Sequence, residues 1–202
     1  MKAPEAWPKH PAVQYRPLVV ERVVQETPDA RSFVLRVPPE LSASFAYRAG
    51  QFLTFRIPWQ GTSLVRCYSL SSCPATEAEW KVTVKRVEDG RVSNWFHDEL
   101  RAGTEIEVLP PAGRFVLRES EAPILLFAGG SGITPVVSLI KTALATTSRE
   151  LRLLAANRDR PAILCRDELE GLAASPRNRF QIVHRLDDEQ GFQDAEAAAG
   201  FA

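Results

Sequence analysis

Arg66 and Tyr68 stand two positions apart in Leu64-Val-Arg-Cys-Tyr-Ser-Leu70, a run with the composition of a β-strand. The two-residue period of a strand puts Arg66, Tyr68 and Leu70 on one face and Val65, Cys67 and Ser69 on the other. A guanidinium and a flat ring on one face suit a ligand that carries both a phosphate and an aromatic system, the first forking onto phosphate oxygens while the second stacks. The competing reading is a solvated strand face. Cys67, on the opposite face, reads as a small core residue. Further on, Gly90-Arg91-Val92-Ser93 leads from a second strand, Lys81 to Val87, into a helical stretch from about Ser93 to Arg101, with Ser93 as N-cap. A helix N-terminus leaves backbone N–H groups without partners, and together with the dipole they form a phosphate cradle. The alternative there is a plain turn before an ordinary capped helix.

The third group is Ile124-Leu-Leu-Phe-Ala-Gly129-Gly130-Ser131-Gly132-Ile-Thr134-Pro135, an apolar run entering glycines, with Thr134 as a cap and Pro135 at the first helical position. It has the form of a dinucleotide fingerprint with proline in place of the third glycine; Gly130 would allow the sharp turn and Gly132 the close approach of a pyrophosphate. A structural tight turn is the alternative. A dinucleotide site needs a ribose-recognition group after the next strand, where Asn157-Arg158-Asp159-Arg160 offers both answers. Asp159 could accept from a ribose hydroxyl, whereas Arg158 and Arg160 could hold an extra phosphate.

Short β-branched runs position these groups. Leu18 to Val24, Ser32 to Val37, Phe52 to Ile57, Leu64 to Leu70 and Lys81 to Val87 point to a small antiparallel barrel or sandwich over residues 17–118. From residue 119 onward the pattern is β-α-β-α-β, with strands at Ile124 to Ala128, Leu151 to Ala155 and Phe180 to Val183 and helices at Pro135 to Ala145 and Arg166 to Ala174. Residues 1–16, rich in proline, read as an extended arm, and no targeting segment is expected.

Composition excludes several classes. Lysine plus arginine and aspartate plus glutamate both number 25, so no net field draws the chain to nucleic acid or to an anionic membrane. Glycines and Pro135 interrupt the uncharged stretch from Ala122 to Ile140, which argues against membrane insertion. Cys67, Cys73 and Cys165 lie too far apart for a four-thiolate cluster, and His10, His97 and His184 lack metal-ligand spacing, so no bound metal and a cytoplasmic location are expected.

The order of Arg66-Cys-Tyr68-Ser69, the Gly90 turn and Gly129 to Pro135 resembles the ferredoxin-NADP reductase superfamily over nearly all of Pro17 to Gln190. Tyr47-Arg-Ala-Gly-Gln-Phe52 and the link Leu109-Pro-Pro-Ala-Gly-Arg-Phe115 are also similar to family segments. Asn157-Arg-Asp159 followed by His184 to Gly191 looks closest to reductase components of bacterial oxygenases, such as those of ketosteroid 9α-hydroxylase and phenylacetyl-CoA epoxidase. The resemblance implies a six-stranded Greek-key FAD-binding barrel plus an α/β NAD(P)-binding domain. NAD(P)H, with NADH favoured, would reduce FAD, and electrons would pass to a ferredoxin-type domain or an oxygenase component. Arg66 would pair with the FAD pyrophosphate, and Tyr68 would stack on the flavin ring. Ser69 would lie near the hydride-accepting nitrogen, and the backbone of Val84 and of Gly90 to Ser93 would complete the cradle. Family nucleotide domains continue through further strands, with a Cys-Gly-Pro segment, and the subgroup adds a four-cysteine ferredoxin domain. The C-terminal half is therefore expected to be short, with hydride transfer impaired; the alternative function is a flavin- or nucleotide-binding module without turnover.

Overall fold

The computed structural model describes residues 14–175 and 179–191; the expected N-terminal arm up to residue 13 and the alanine-rich stretch after residue 191 lie outside the described residues. The first half consists of β1 (Arg16–Thr27), β2 (Ala30–Arg36), β3 (Phe52–Trp59), β4 (Thr62–Ser69), β5 (Trp80–Lys85), α1 (Arg91–Glu99) and β6 (Glu105–Ala112). These strands form one antiparallel sheet in the order β4-β3-β6-β1-β2-β5, and an antiparallel bridge between Leu70 and Val82 joins its two ends into a barrel. Alternation sets the core. Leu53, Phe55 and Ile57 of β3, Val82 and Val84 of β5, and Ile106 and Val108 of β6 all point inward and are buried. The helix α1 adds the ring of Phe96, which meets Phe33, Phe55 and Tyr68 edge-on at centroid distances of 5.4, 5.2 and 5.0 Å.

The second half consists of β7 (Ile124–Gly129), α2 (Ile133–Thr146), β8 (Leu151–Asn157), α3 (Arg166–Ala173), β9 (Phe180–Leu186) and the one-turn α4 (Asp187–Gln190). The strands are parallel in the order β7-β8-β9. Crossovers of the same hand between successive neighbours would put α2 and α3 on one face. There Val137 and Ile140 of α2 and Leu169 of α3 share a core with Leu126, Leu153 and Phe180.

Side chains from both halves bond across the seam. Ser138 Oγ donates to the Ser72 carbonyl at 2.6 Å, and Thr142 Oγ1 lies 3.3 Å from Cys73 Sγ. Lys141 Nζ is held by Glu77 of the barrel at 2.6 Å and Glu168 of α3 at 2.8 Å, with its own side chain only 7% exposed. Burial by itself would lower the lysine pKa, but the two carboxylates outweigh it and hold the ammonium form.

Four sequence expectations need correction. The strand β6 was missing because Pro110 and Pro111 break its pattern. They sit beyond the stretch paired with β1, next to a register shift against β3, where no ladder N–H is needed. Ser93 is not the cap of α1: Gly90 takes that position, and Ser93 Oγ donates to the Gly90 carbonyl while accepting from Val87 N–H. Thr134 does not cap α2 either. Gly132 does, after a 3-10 turn over Gly130–Gly132, so Pro135 is the third helical residue, still within the turn whose N–H groups have no intrahelical partner. Cys67 is exposed rather than core, because Thr54, its cross-strand partner, lies on the outer face of β3.

Candidate active site

The edge strand β4 brings the residues together. Arg66 pairs across the ladder with Phe55 and Tyr68 with Leu53, so both stand on the inward-facing register, Tyr68 packed on the core rings and Arg66 exposed at the rim. The ladder ends at Phe52 and Ser69, and Leu70 then crosses to β5. A cavity of about 450 Å3 opens at this corner between the halves, a size suited to a small-molecule site. Consecutive residues Arg66, Cys67, Tyr68 and Ser69 all border it, because an edge strand presents its unpaired side as well as one face.

Gly90, Arg91, Val92 and Ser93 form the opposite wall as the first turn of α1, and Ser131 and Thr134 reach in from the second half. Thr83, Lys85 and Val87 also line the cavity; sequence reasoning missed them. Thr83 and Lys85 alternate with the core residues Val82 and Val84, so their outward direction was legible. What was not legible is that this outward face meets the second half. Arg66, Lys85 and Arg91 give the cavity three cations, of which Lys85 is paired with Asp29 at 3.4 Å, and its lining residues include no carboxylate among the described residues. Arg66 Nη1 donates only to the neighbouring Val65 carbonyl at 3.1 Å among the described contacts, which leaves most of its fork for a ligand. Burial pushes the Tyr68 phenol up to about 12, so the ring stays neutral.

The Val84 side chain is buried in the barrel and is not part of the cavity lining, and the Val84 carbonyl accepts from His97 Nε2 at 2.9 Å. Desolvation holds the His97 pKa below the ordinary value, with the neutral ring favoured in the fold. A depressed folded value means that stability is present above the unfolded pKa and lost as pH falls through the folded one. Urea midpoints of the wild type should therefore fall on acidification from about pH 7 to about pH 5, and His97→Gln should flatten that slope.

Gly129, Gly130, Gly132 and Pro135 flank the cavity at the carboxyl end of β7. Gly130 has φ +49°, a left-handed value that favours glycine, whereas Gly132 is right-handed. A Cβ built on Gly129, Gly130 or Gly132 meets nothing within 4 Å, so the backbone there is open to a close-approaching ligand. Asn157 is buried at the end of β8. Beyond it Asp159 accepts from Arg158 Nε at 2.7 Å and from Ala162 N–H at 2.9 Å. The Arg158 bond holds the Asp159 carboxyl below its usual range. These three residues lie at the same end of the sheet as the glycine turn but do not line the cavity.

Residues 17–117 match the family described as oxidoreductase FAD-binding domain. The chain belongs to this family. Residues 126–198 match the family described as oxidoreductase NAD-binding domain. The ferredoxin reductase component of 3-ketosteroid-9-alpha-monooxygenase from Rhodococcus rhodochrous is 48% identical over 186 residues, covering 92% of this chain and 53% of that relative. The chain spans about half the length of the curated relatives it matches. Among solved structures, the FAD/NAD binding domain of nitric oxide dioxygenase from Vibrio cholerae gives a TM-score of 0.76 at 25% identity, covering 90% of this chain and 81% of that one. Phthalate dioxygenase reductase gives 0.75 at 28% identity, covering 93% and 57%. Barrel, parallel sheet and reductase subgroup thus agree with what the residues implied. Among the described residues no helix is long and apolar enough to cross a membrane, and no group of three His, Cys, Asp or Glu side chains could hold a metal ion.

Proposed function

We propose that this chain is the flavin- and nicotinamide-binding part of a reductase that takes electrons from NADH and delivers them to an iron-sulfur partner, either a ferredoxin-type domain or an oxygenase component. The observation that carries this reading is the single cavity at which an aromatic platform, three cations, a helix N-terminus and the edge of the glycine turn converge. A dianionic pyrophosphate joined to a flat ring fits that donor set. FAD, when bound, supplies the conversion of a two-electron hydride into single electrons.

The chain's own residues bind and orient. Tyr68, fixed edge-on against Phe96, offers its ring as a stacking surface. Arg66 and the first-turn N–H groups of Arg91, Val92 and Ser93 receive phosphate oxygens, and the Ser69 hydroxyl donates or accepts one hydrogen bond at the ring edge. Ser131 and Thr134 border the side from which the nicotinamide would enter, with Gly130 and Gly132 presenting bare backbone to its pyrophosphate. NADH is taken as the donor, because Asp159 accepts the Nε–H of Arg158, one of the two arginines that could hold an extra phosphate. Parallel titrations with NADH and NADPH test this preference. The free thiols of Cys67, Cys73 and Cys165 suit a reducing compartment such as the cytoplasm.

FAD-loaded protein should bleach on anaerobic addition of NADH; flavin that stays bound and yellow would reduce the chain to a binding module. Arg66→Ala should weaken FAD binding by about tenfold or more, corresponding to loss of a charge-assisted contact of roughly 1.5 to 3 kcal/mol. Flavin fluorescence titration measures it, and an unchanged Kd would remove Arg66 from the site.

A further inference from the structure

Four polar side chains that the proposed reductase chemistry leaves unused form a hydrogen-bonded row along the outer face of the barrel. Ser32 and Thr83 are direct cross-strand partners on β2 and β5. Ser32 Oγ donates to Glu26 Oε1 at 2.5 Å, Ser32 Oγ and Thr83 Oγ1 are 2.7 Å apart, and Thr83 Oγ1 and Ser71 Oγ are 2.9 Å apart. The three hydroxyl residues are buried, at 0%, 4% and 0% exposure for Ser32, Thr83 and Ser71. The row touches two cavities. Thr83 lines the active cavity, whereas Glu26 lines a second cavity of about 330 Å3 between the β1–β2 turn and residues 160–168, where Arg160, Arg166, Asp167 and Glu168 surround it.

The row also has a direction. Ser32 Oγ donates to Glu26, so the Ser32 oxygen is left to accept from Thr83. Ser71 has a second acceptor in the Lys81 carbonyl at 3.3 Å, and when it turns there the Thr83 oxygen is open to a donor in the cavity. Each hydroxyl then hands one proton onward in the same sense, away from the active cavity and toward Glu26.

We propose that Thr83, Ser32 and Glu26 form a proton path from the active cavity to the second cavity. The proposal rests on the reading of the active cavity as the flavin site. Hydride oxidation to single electrons leaves one proton per NADH: the N–H bond formed by the hydride breaks, its electron pair leaves one at a time to two one-electron acceptors, and the proton remains. That proton passes to Thr83 Oγ1 as the Thr83 proton passes to Ser32 and the Ser32 proton to Glu26, which releases it to water in the second cavity. Glu26 and Ser32 act through Thr83 and touch no cofactor; they are positioning residues for proton release.

The test uses FAD-loaded protein reduced with dithionite, freed of excess reductant, and mixed with ferricyanide in weak buffer containing a pH indicator. Two ferricyanide ions take the two electrons, and one proton appears per flavin. Glu26→Gln keeps an acceptor for Ser32 and so keeps a merely structural row intact, yet it cannot take up a proton. Proton release should slow by at least about tenfold in Glu26→Gln and in Ser32→Ala, while FAD affinity and the circular dichroism spectrum stay at wild-type values. The infrared difference spectrum between reduced and oxidised flavoprotein should contain a carboxyl signal in the wild type that Glu26→Gln removes. Proton release at the wild-type rate in Glu26→Gln, with the infrared signal unchanged, overturns the path and leaves the flavin reading standing. A wild-type chain that takes up no FAD overturns both.

Discussion

Lys141→Met should lower the free energy of unfolding by about 3 kcal/mol, the low end of the loss seen when a buried ion pair is broken from one side. The estimate sits at the low end because Glu77 and Glu168, at 28% and 33% exposure, keep some water once the ammonium is gone. Two carboxylates left facing one another across the seam then repel, and the methionine cannot bond either. The loss should also be unevenly distributed. Three of the four tryptophans, Trp59, Trp80 and Trp95, lie in the barrel half, so fluorescence follows mainly that half while far-ultraviolet circular dichroism follows both. Wild-type urea curves from the two probes should coincide, and in Lys141→Met the dichroism midpoint should fall below the fluorescence midpoint. Glu77→Gln, which keeps an acceptor for Lys141 and removes only the charge across the seam, should separate the curves with a smaller total loss. Coincident, unshifted curves in Lys141→Met would show that Ser138 and Thr142 suffice to hold the halves together.

Gly132→Val should cut NADH affinity by roughly a hundredfold, about 2.7 kcal/mol, while FAD content stays near wild type. Gly132 has helical dihedrals that valine can adopt, and its Cβ direction is empty of protein atoms, so the fold tolerates the change. The space that the isopropyl group fills is the space a pyrophosphate would occupy when it reaches the backbone N–H groups before α2. Equilibrium titration of the oxidised flavoprotein with NADH analogues measures the affinity, and flavin absorbance after gel filtration measures the FAD content. Loss of both ligands together would mean that Gly132 holds the two halves in register instead of admitting a nucleotide.

Much of the fold was legible because periodicity and punctuation agree locally. The five barrel strands, both long helices and the three parallel strands stand where alternation, helical spacing and glycines put them, mostly lengthened by a residue or two at the ends. The strand β6 was not legible, since its two prolines are tolerated only by the bulge they occupy, and a bulge depends on the register of a strand far away in sequence. The caps were misread for a related reason. Ser93 and Thr134 are good capping residue types, yet in each case the glycine before them enters the helix first, and the hydroxyl turns back onto the turn it follows. At the site, Arg66, Tyr68, Ser69 and the Gly90 turn could be named from type and spacing. Thr83 and Lys85 could not, because a barrel's outer face has no meaning for a ligand until another layer covers it.

Phe96 ties Tyr68 to α1, and the other end of the same nine-residue helix supplies the first-turn N–H groups of the cavity. In the proposed binding mode one helix therefore fixes both contacts, the stacking ring through Phe96 and the phosphate donors directly, so a molecule long enough to reach both is held as a chelate. Once one end is seated the second contact forms at an effective concentration in the millimolar range, without the rotational and translational loss of a fresh encounter. Riboflavin and ADP offered as separate molecules should each bind far more weakly than the joined dinucleotide, and adding one should do little for the other. Tight holding of FAD then resides in the distance between two weak grips, and a shift of α1 along its axis would loosen the cofactor without altering any residue that touches it.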